Sequence, residues 1–262
     1  MNFKKTWTKK YGKSEIYKAG ECACKKVEID MLRLADGQSK LYREENKEYA
    51  LVILGGKCTV EGDDFRFENI GKRKDVFDGP ATCVYVPRNT PFTVTAIGEV
   101  SIAVSKSPAT KDFAPALINP GDVVIKNLGK PGWEREAHFI LDDRTDAEML
   151  YIGEAFVKGG QWASYPPHKH DDDNMPTEAE TEEIYYYEFK KESGFGIQRV
   201  YTMEGDIDEV YVVKSGDFVE IPRGYHPFHA APGYDNYYLW IMAGKDRGFF
   251  MTTDEEHAWL NK

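Results

Sequence analysis

Short runs of β-branched and aromatic residues recur along this chain, and little between them repeats with the period of a helix. They are YALVIL (49–54), CVYVP (83–87), FTVTAI (92–97), VSIAVS (100–105), IYYYEF (184–189), GIQRVYT (196–202), EVYVV (209–213), DFVEIP (217–222) and YYLWIMA (237–243). Gly, Asp, Asn and Pro separate them. Such side chains suit a pleated, half-buried surface, and such punctuation ends strands in turns. The chain is therefore expected to be all-β, a sandwich or barrel. LDDRTDAEMLYIG (141–153) is expected to be a loop or short turn, and DEEHAWL (254–260) a last helical turn.

Two regions read as versions of one another. EYALVILGGKCTVEG through CVYVPRNTPFTV is answered by EEIYYYEF through KSGDFVEIPRGYHPFHA. Each has an acid, a tyrosine-bearing strand, a polar middle and a strand closing on Pro-Arg. Pro87-Arg88-Asn89-Thr90-Pro91-Phe92 matches Pro222-Arg223-Gly224-Tyr225-His226-Pro227-Phe228, with one residue extra in the second. A duplicated small β-barrel accounts for this, with its boundary in LINPGDVVIKNLGKPGWERE (117–136).

The chain's 262 residues suffice for two small cores. A formal net charge of −10 argues against a nucleic-acid backbone as partner, which needs a basic face, but not against a small anion met by one local cation. No apolar run is long enough to span a bilayer, and the lysine-bearing start has no apolar stretch after it. Cys22, Cys24, Cys58 and Cys83 lie at spacings that suggest no disulfide framework, so a cytoplasmic protein with reduced thiols is expected. Cys22-Ala-Cys24 lacks the CxxC spacing and a nearby histidine. Apolar strands such as YALVIL offer a surface to a second copy, so a homo-oligomer is a further expectation.

The histidines divide unevenly between the copies: none in the first, but His168, His170, His226 and His229 in the second. Residues two apart on a strand share a face, so His168 and His170 point together while Lys169 points away. On the next strand Glu183, Tyr185 and Tyr187 share one face, and Glu182, Ile184 and Tyr186 the other. If Glu183 faces inward, its carboxylate joins the two imidazoles. Gly224 allows a sharp turn that delivers His226. Three imidazoles and a carboxylate suit one borderline divalent ion, Zn or Mn foremost, with positions left for water or substrate. Glu178, Glu180 and Glu182 compete with Glu183, and His229 with His226. His138 and His257 have no partner motif.

HxH, a later Glu opening a strand, and Pro-x-Gly followed by His resemble the metal motifs of the cupin superfamily. The duplication resembles a bicupin. Longer strings, among them EAHFILDDRTDAEMLYIGEAFVKGGQWASYPPHKHD, EEIYYYEF, FGIQRVYT and GDFVEIPRGYHPFHAAPGYDNYYLWIMAGKDR, resemble the 5-deoxy-glucuronate isomerases of bacterial myo-inositol catabolism. Cupins usually leave a short gap between HxH and Glu, whereas Asp171 to Glu182 intervene here. That long loop is similar to the isomerase family's own pattern. The resemblance implies two tandem cupin, jelly-roll-like barrels, a degenerate one over 1–125 and a metal-binding one over 126–262.

The implied reaction turns an aldehyde sugar acid into a keto acid by moving a proton between neighbouring carbons. A metal on the carbonyl oxygen would stabilise the enediolate, and a base must carry the proton. Tyr185 and Tyr187 are candidates to donate hydrogen bonds to the developing charge. Arg199 and Arg223 are candidates for the substrate carboxylate, and Gln198 lies on the face opposite Arg199. The rival readings are a cupin dioxygenase using Fe and O₂ with the same ligands, a 5-keto-4-deoxyuronate isomerase, and a sugar-acid binding module without turnover.

Overall fold

Every run expected to be a strand is one, and further strands join them. The structure, a computed structural model, describes residues 2–262. The first strands are β1 (Lys4–Thr6), β2 (Gly12–Tyr17), β3 (Glu28–Leu34), β4 (Ser39–Tyr42) and the long β5 (Lys47–Gly62). After them come β6 (Arg66–Ile70), β7 (Thr82–Val86), β8 (Phe92–Pro108) and β9 (Ala116–Ile118). β10 (Val124–Leu128), β11 (Arg135–Leu141), β12 (Leu150–Val157), β13 (Trp162–Ala163) and β14 (His168–Lys169) follow. β15 (Glu182–Phe189), β16 (Gly196–Tyr201), β17 (Asp208–Val213) and β18 (Asp217–Ile221) lead to β19 (Phe228–Ala230), β20 (Asn236–Ala243) and β21 (Thr252–Thr253). Among the described residues the only helical pieces are 3₁₀ turns at Pro120–Asp122 and Ala258–Asn261, the latter falling in the expected terminal turn. No helix among them is long and apolar enough to cross a membrane.

All pairings are antiparallel. One sheet runs β2-β3-β8-β5-β7-β9, with β4 on β8 and β6 on β5. FTVTAI and VSIAVS are two arms of the single strand β8, which crosses from β4 to β3. β5 bends with it through bulges at Gly55 and Gly56. Gly56 has φ +92, and a Cβ there would lie 2.1 Å from the Glu99 carbonyl, so only glycine fits.

The second half has a seven-stranded sheet, β1-β18-β15-β20-β12-β11-β10, facing a four-stranded one, β13-β19-β16-β17. The layers face each other as in a jelly roll without closing into a continuous barrel. In the pairing, the sheets part company between Ile118 and Val124. The first strand crosses back: Lys4 pairs with Val219 on β18.

LYIGEAFV, expected in part to be a turn, is the fully paired strand β12, between β11 and β20. Its two faces are both covered, so the alternation that marks a half-exposed strand is missing. Leu150 and Ile152 pack between the halves, whereas Tyr151, Ala155 and Val157 line the second interior. YALVIL behaves likewise. Tyr49, Leu51 and Ile53 fill the first interior, while Ala50, Val52 and Leu54 pack with Ile184, Tyr186, Leu239 and Ile241. Its second face is therefore buried within the chain and is not the surface for another copy that its sequence suggested. The four cysteines are free.

Candidate metal centre

β15 turns Glu183, Tyr185 and Tyr187 toward the second interior and Ile184 and Tyr186 toward the first half, as alternation requires. β14 brings His168 and leads into His170, and it is held by the tail strand β21 through the pair His168–Thr253. The turn after β18 supplies His226. Gly224 there has φ +92, and a Cβ on it would lie 2.4 Å from the carbonyl of Tyr201. That close approach lets Tyr201 and Tyr225 exchange two backbone hydrogen bonds, 2.9 and 2.8 Å long. Gly224→Ala is expected to lower the melting temperature by several degrees, from a strain of about 1–3 kcal/mol. It should also weaken retention of a divalent ion, checked by calorimetry and elemental analysis.

Nε2 of His170 lies 3.2 Å from Oε2 of Glu183, and Nε2 of His226 lies 3.3 Å from the same oxygen. The His168 ring stands edge-on to His226, with centroids 5.1 Å apart. Each imidazole has its other nitrogen at a backbone carbonyl: His168 Nδ1 at Pro166 (3.3 Å), His170 Nδ1 at Thr181 (3.0 Å), His226 Nδ1 at Gly224 (3.0 Å). A carbonyl only accepts, so the ring proton belongs on Nδ1 and the Nε2 lone pairs are left for the centre. All four side chains are buried, and His226 Nε2 makes no well-directed hydrogen bond. Burial pushes the Glu183 carboxyl up, but the adjacent His170 and His226 rings outweigh it and bring it down to about 2. Burial also pulls His170 down, yet the adjacent Glu183 carboxylate raises it above the ordinary imidazole value. Burial, then the charges of His226 and Arg135, hold His168 well below it. One orphaned ring nitrogen amid three imidazoles and a buried carboxylate fits a borderline divalent cation.

Beside these groups is a cavity of about 20 Å³, room for little more than one water. Arg135, Ser164, Tyr185, Tyr238 and Phe249 complete much of its wall. An open groove of about 650 Å³ adjoins it, sharing Leu128, Arg135 and Phe249. The Tyr185 hydroxyl is 2.8 Å from that of Ser164.

Tyr187 departs from its expected catalytic place. Its hydroxyl donates to Gln198 at 2.6 Å, and the Gln198 amide donates to the carbonyl of His226 at 2.7 Å. Tyr187 thus steadies the turn that carries His226 instead of facing the cavity. Arg199 and Arg223 are also elsewhere. Gln198 takes the inward face, which turns Arg199 out to Asp208, and Arg223 pairs with Asp206. Neither arginine lines the cavity.

The competing acids are engaged away from the centre. Glu178 holds Lys169, Glu180 holds Lys26, and Glu182 accepts the backbone N–H groups of Lys25 and Lys26. His229 packs on Trp162 with centroids 4.9 Å apart, outside the cavity. His138 bonds Glu136 at 2.8 Å. The residues that sequence reasoning missed are Arg135 and Ser164. For Arg135 a signal existed, since it shares the alternating face of REAHFIL with Ala137 and Phe139.

The family model described as KduI/IolB matches residues 4–260. A 5-deoxy-glucuronate isomerase of Geobacillus kaustophilus is 42% identical over 235 residues, 89% of this chain and 85% of that protein. That of Bacillus subtilis strain 168 is 39% identical over 236 residues, 89% of this chain and 87% of its own length. The crystal structure of an IolB-like protein from Salmonella typhimurium LT2 superposes with a TM-score of 0.95 at 35% identity, covering 100% of both chains. The oxalate decarboxylase of Lactobacillus farciminis superposes with a TM-score of 0.67 at 10% identity, over 97% of this chain and 88% of that one. This last likeness speaks for the fold alone.

Proposed function

Because the chain belongs to the KduI/IolB family, we propose that it is a 5-deoxy-glucuronate isomerase, an aldose–ketose isomerase that converts the aldehyde acid to 5-dehydro-2-deoxy-gluconate. The observation that carries this reading is the similarity to curated isomerases over 89% of the chain. The His/Glu centre supports it chemically. His168, His170, Glu183 and His226 would hold one divalent cation, Zn or Mn being the ions such a donor set suits. When bound, that cation supplies Lewis acidity, polarising the substrate carbonyl and lowering the cost of removing the neighbouring proton.

The chain's own side chains shape the surroundings of the reacting carbons. Tyr185, backed by Ser164, presents a hydroxyl that can donate to oxygen as negative charge develops on it. The buried walls limit water at the reacting carbons. A six-carbon acid does not fit a 20 Å³ cavity, so binding must move side chains of its wall, foremost Phe249, which lines both cavity and groove.

Anaerobic NMR of the purified protein with 5-deoxy-glucuronate in D₂O tests the reading. The expected result is conversion to the keto acid without oxygen, lost on chelation and restored by added Zn or Mn. A requirement for O₂ would point to a dioxygenase. Conversion only of 5-keto-4-deoxyuronate would point to the pectin-breakdown activity. Saturable binding without turnover would leave a binding module.

A further inference from the structure

Arg135 opens β11, and Ala137 and Phe139 share its inward face. It lines the inner cavity together with His168, His170 and Glu183, and it also lines the open groove outside. Other cations around the centre and the groove have partners: Lys169 has Asp171, Asp172 and Glu178, Lys126 sits over the Phe139 ring, and Lys130 reaches the backbone oxygens of Leu260 and Lys262. Arg135 is partly buried, and its side chain makes no hydrogen bond or ion pair among the described residues. Ala137 faces Ala155 across the strand pair. These two alanines keep the cavity wall beside the Arg135 side chain low, while its other side opens on the groove. A guanidinium partly withdrawn from water with no anion is unfavourable on its own, and its planar fork matches a carboxylate through two parallel hydrogen bonds.

We propose that Arg135 receives the carboxylate of the sugar acid and so turns the opposite, aldehyde end toward the His/Glu centre. The inference rests on the isomerase reading for the identity of the acid, and on the surroundings of Arg135 for the anion. A six-carbon aldehyde acid has two ends that can meet a cation. An arginine at the junction of cavity and groove decides which end goes in, and therefore which carbon gives up its proton.

The test compares wild type with Arg135→Met and Arg135→Lys on 5-deoxy-glucuronate and on 5-deoxy-glucose, in which a hydroxymethyl replaces the carboxylate. The wild-type preference for the acid, as a ratio of kcat/KM, is expected to fall by roughly 100-fold in Arg135→Met, mostly through KM. Arg135→Lys should lie between, since an ammonium keeps the charge and loses the fork. Metal content and melting temperature, measured alongside, exclude a misfolded variant. Retention of the preference and of the wild-type KM in Arg135→Met would overturn the proposal. Should wild type fail to isomerise 5-deoxy-glucuronate, the functional reading falls, and calorimetric binding of D-glucuronate decides the role of Arg135 separately. Weaker binding by Arg135→Met supports it, whereas equal binding by both proteins, or none by wild type, overturns it.

Discussion

Glu183→Gln is expected to lose most of its bound divalent ion and to lower kcat/KM by about 1,000-fold or more. The magnitude follows from the several kcal/mol that a bound cation contributes to such chemistry. Among the described residues Glu183 is the only carboxylate lining the inner cavity, and it is 3% exposed. Its Oε2 lies within 3.3 Å of ring nitrogens from both His170 and His226. Glutamine keeps the shape and one acceptor but removes the charge. Three neutral imidazoles would then face a doubly charged ion in a poorly solvated site, where unneutralised charge is most costly. β15 pairs through its backbone with β18 and β20 on either side of Glu183, so the strand should stay in place. Elemental analysis after dialysis, steady-state kinetics and a melting curve separate loss of ion from loss of fold. A variant with stoichiometric metal and a wild-type rate would remove Glu183 from the centre altogether.

Much of that centre could be read before any coordinates, because it depends on local rules. HxH on an extended segment and the alternation of EEIYYYEF place three candidate ligands by geometry that spans a few residues. What failed needed partners far along the chain. Tyr187 looks like Tyr185 in sequence, and only Gln198, on another strand, separates their roles. Arg199, Arg223 and Arg135 are equally plausible cations until Asp208 and Asp206 claim two of them. β12 was hidden because strands covered on both faces lose their alternation.

The strand registers also show what the first half holds where the second has Glu183. Glu183 pairs with Ile221, the residue before Pro222, and Tyr49 pairs with Val86, the residue before Pro87. An aromatic thus occupies the position of the carboxylate. Around it the first interior uses a different cation, the buried Lys106, held by Asp30 at 3.1 Å and Glu28 at 3.3 Å.

The second large effect concerns the union of the halves. Arg73→Met is expected to destabilise the protein by about 3–5 kcal/mol, lowering the melting temperature by roughly 10 °C. Arg73 lies in the segment between β6 and β7, and Glu154 on β12, with side chains 2% and 0% exposed. Nη2 and Nη1 of Arg73 lie 2.5 and 3.1 Å from the two Glu154 oxygens. Nε of Arg73 donates to the carbonyl of Ile53 at 2.9 Å, and the Tyr237 hydroxyl donates to Glu154 at 2.7 Å. Methionine fills most of the volume but leaves a carboxylate buried with one hydroxyl and, 3.9 Å away, the His138 ring, and that poorly compensated charge is the source of the loss. Arg73→Met/Glu154→Met should recover most of the stability, because removing both charges removes the desolvation cost together with the attraction. The apolar layer around this pair draws Met31, Val52 and Tyr85 from one half and Ile152, Ile184 and Leu239 from the other. Each half therefore buries a face that it would expose alone, and calorimetry should show one cooperative transition that moves as a unit in the variant. Two separated transitions, or an unshifted single variant, would mean that this pair does not join the halves.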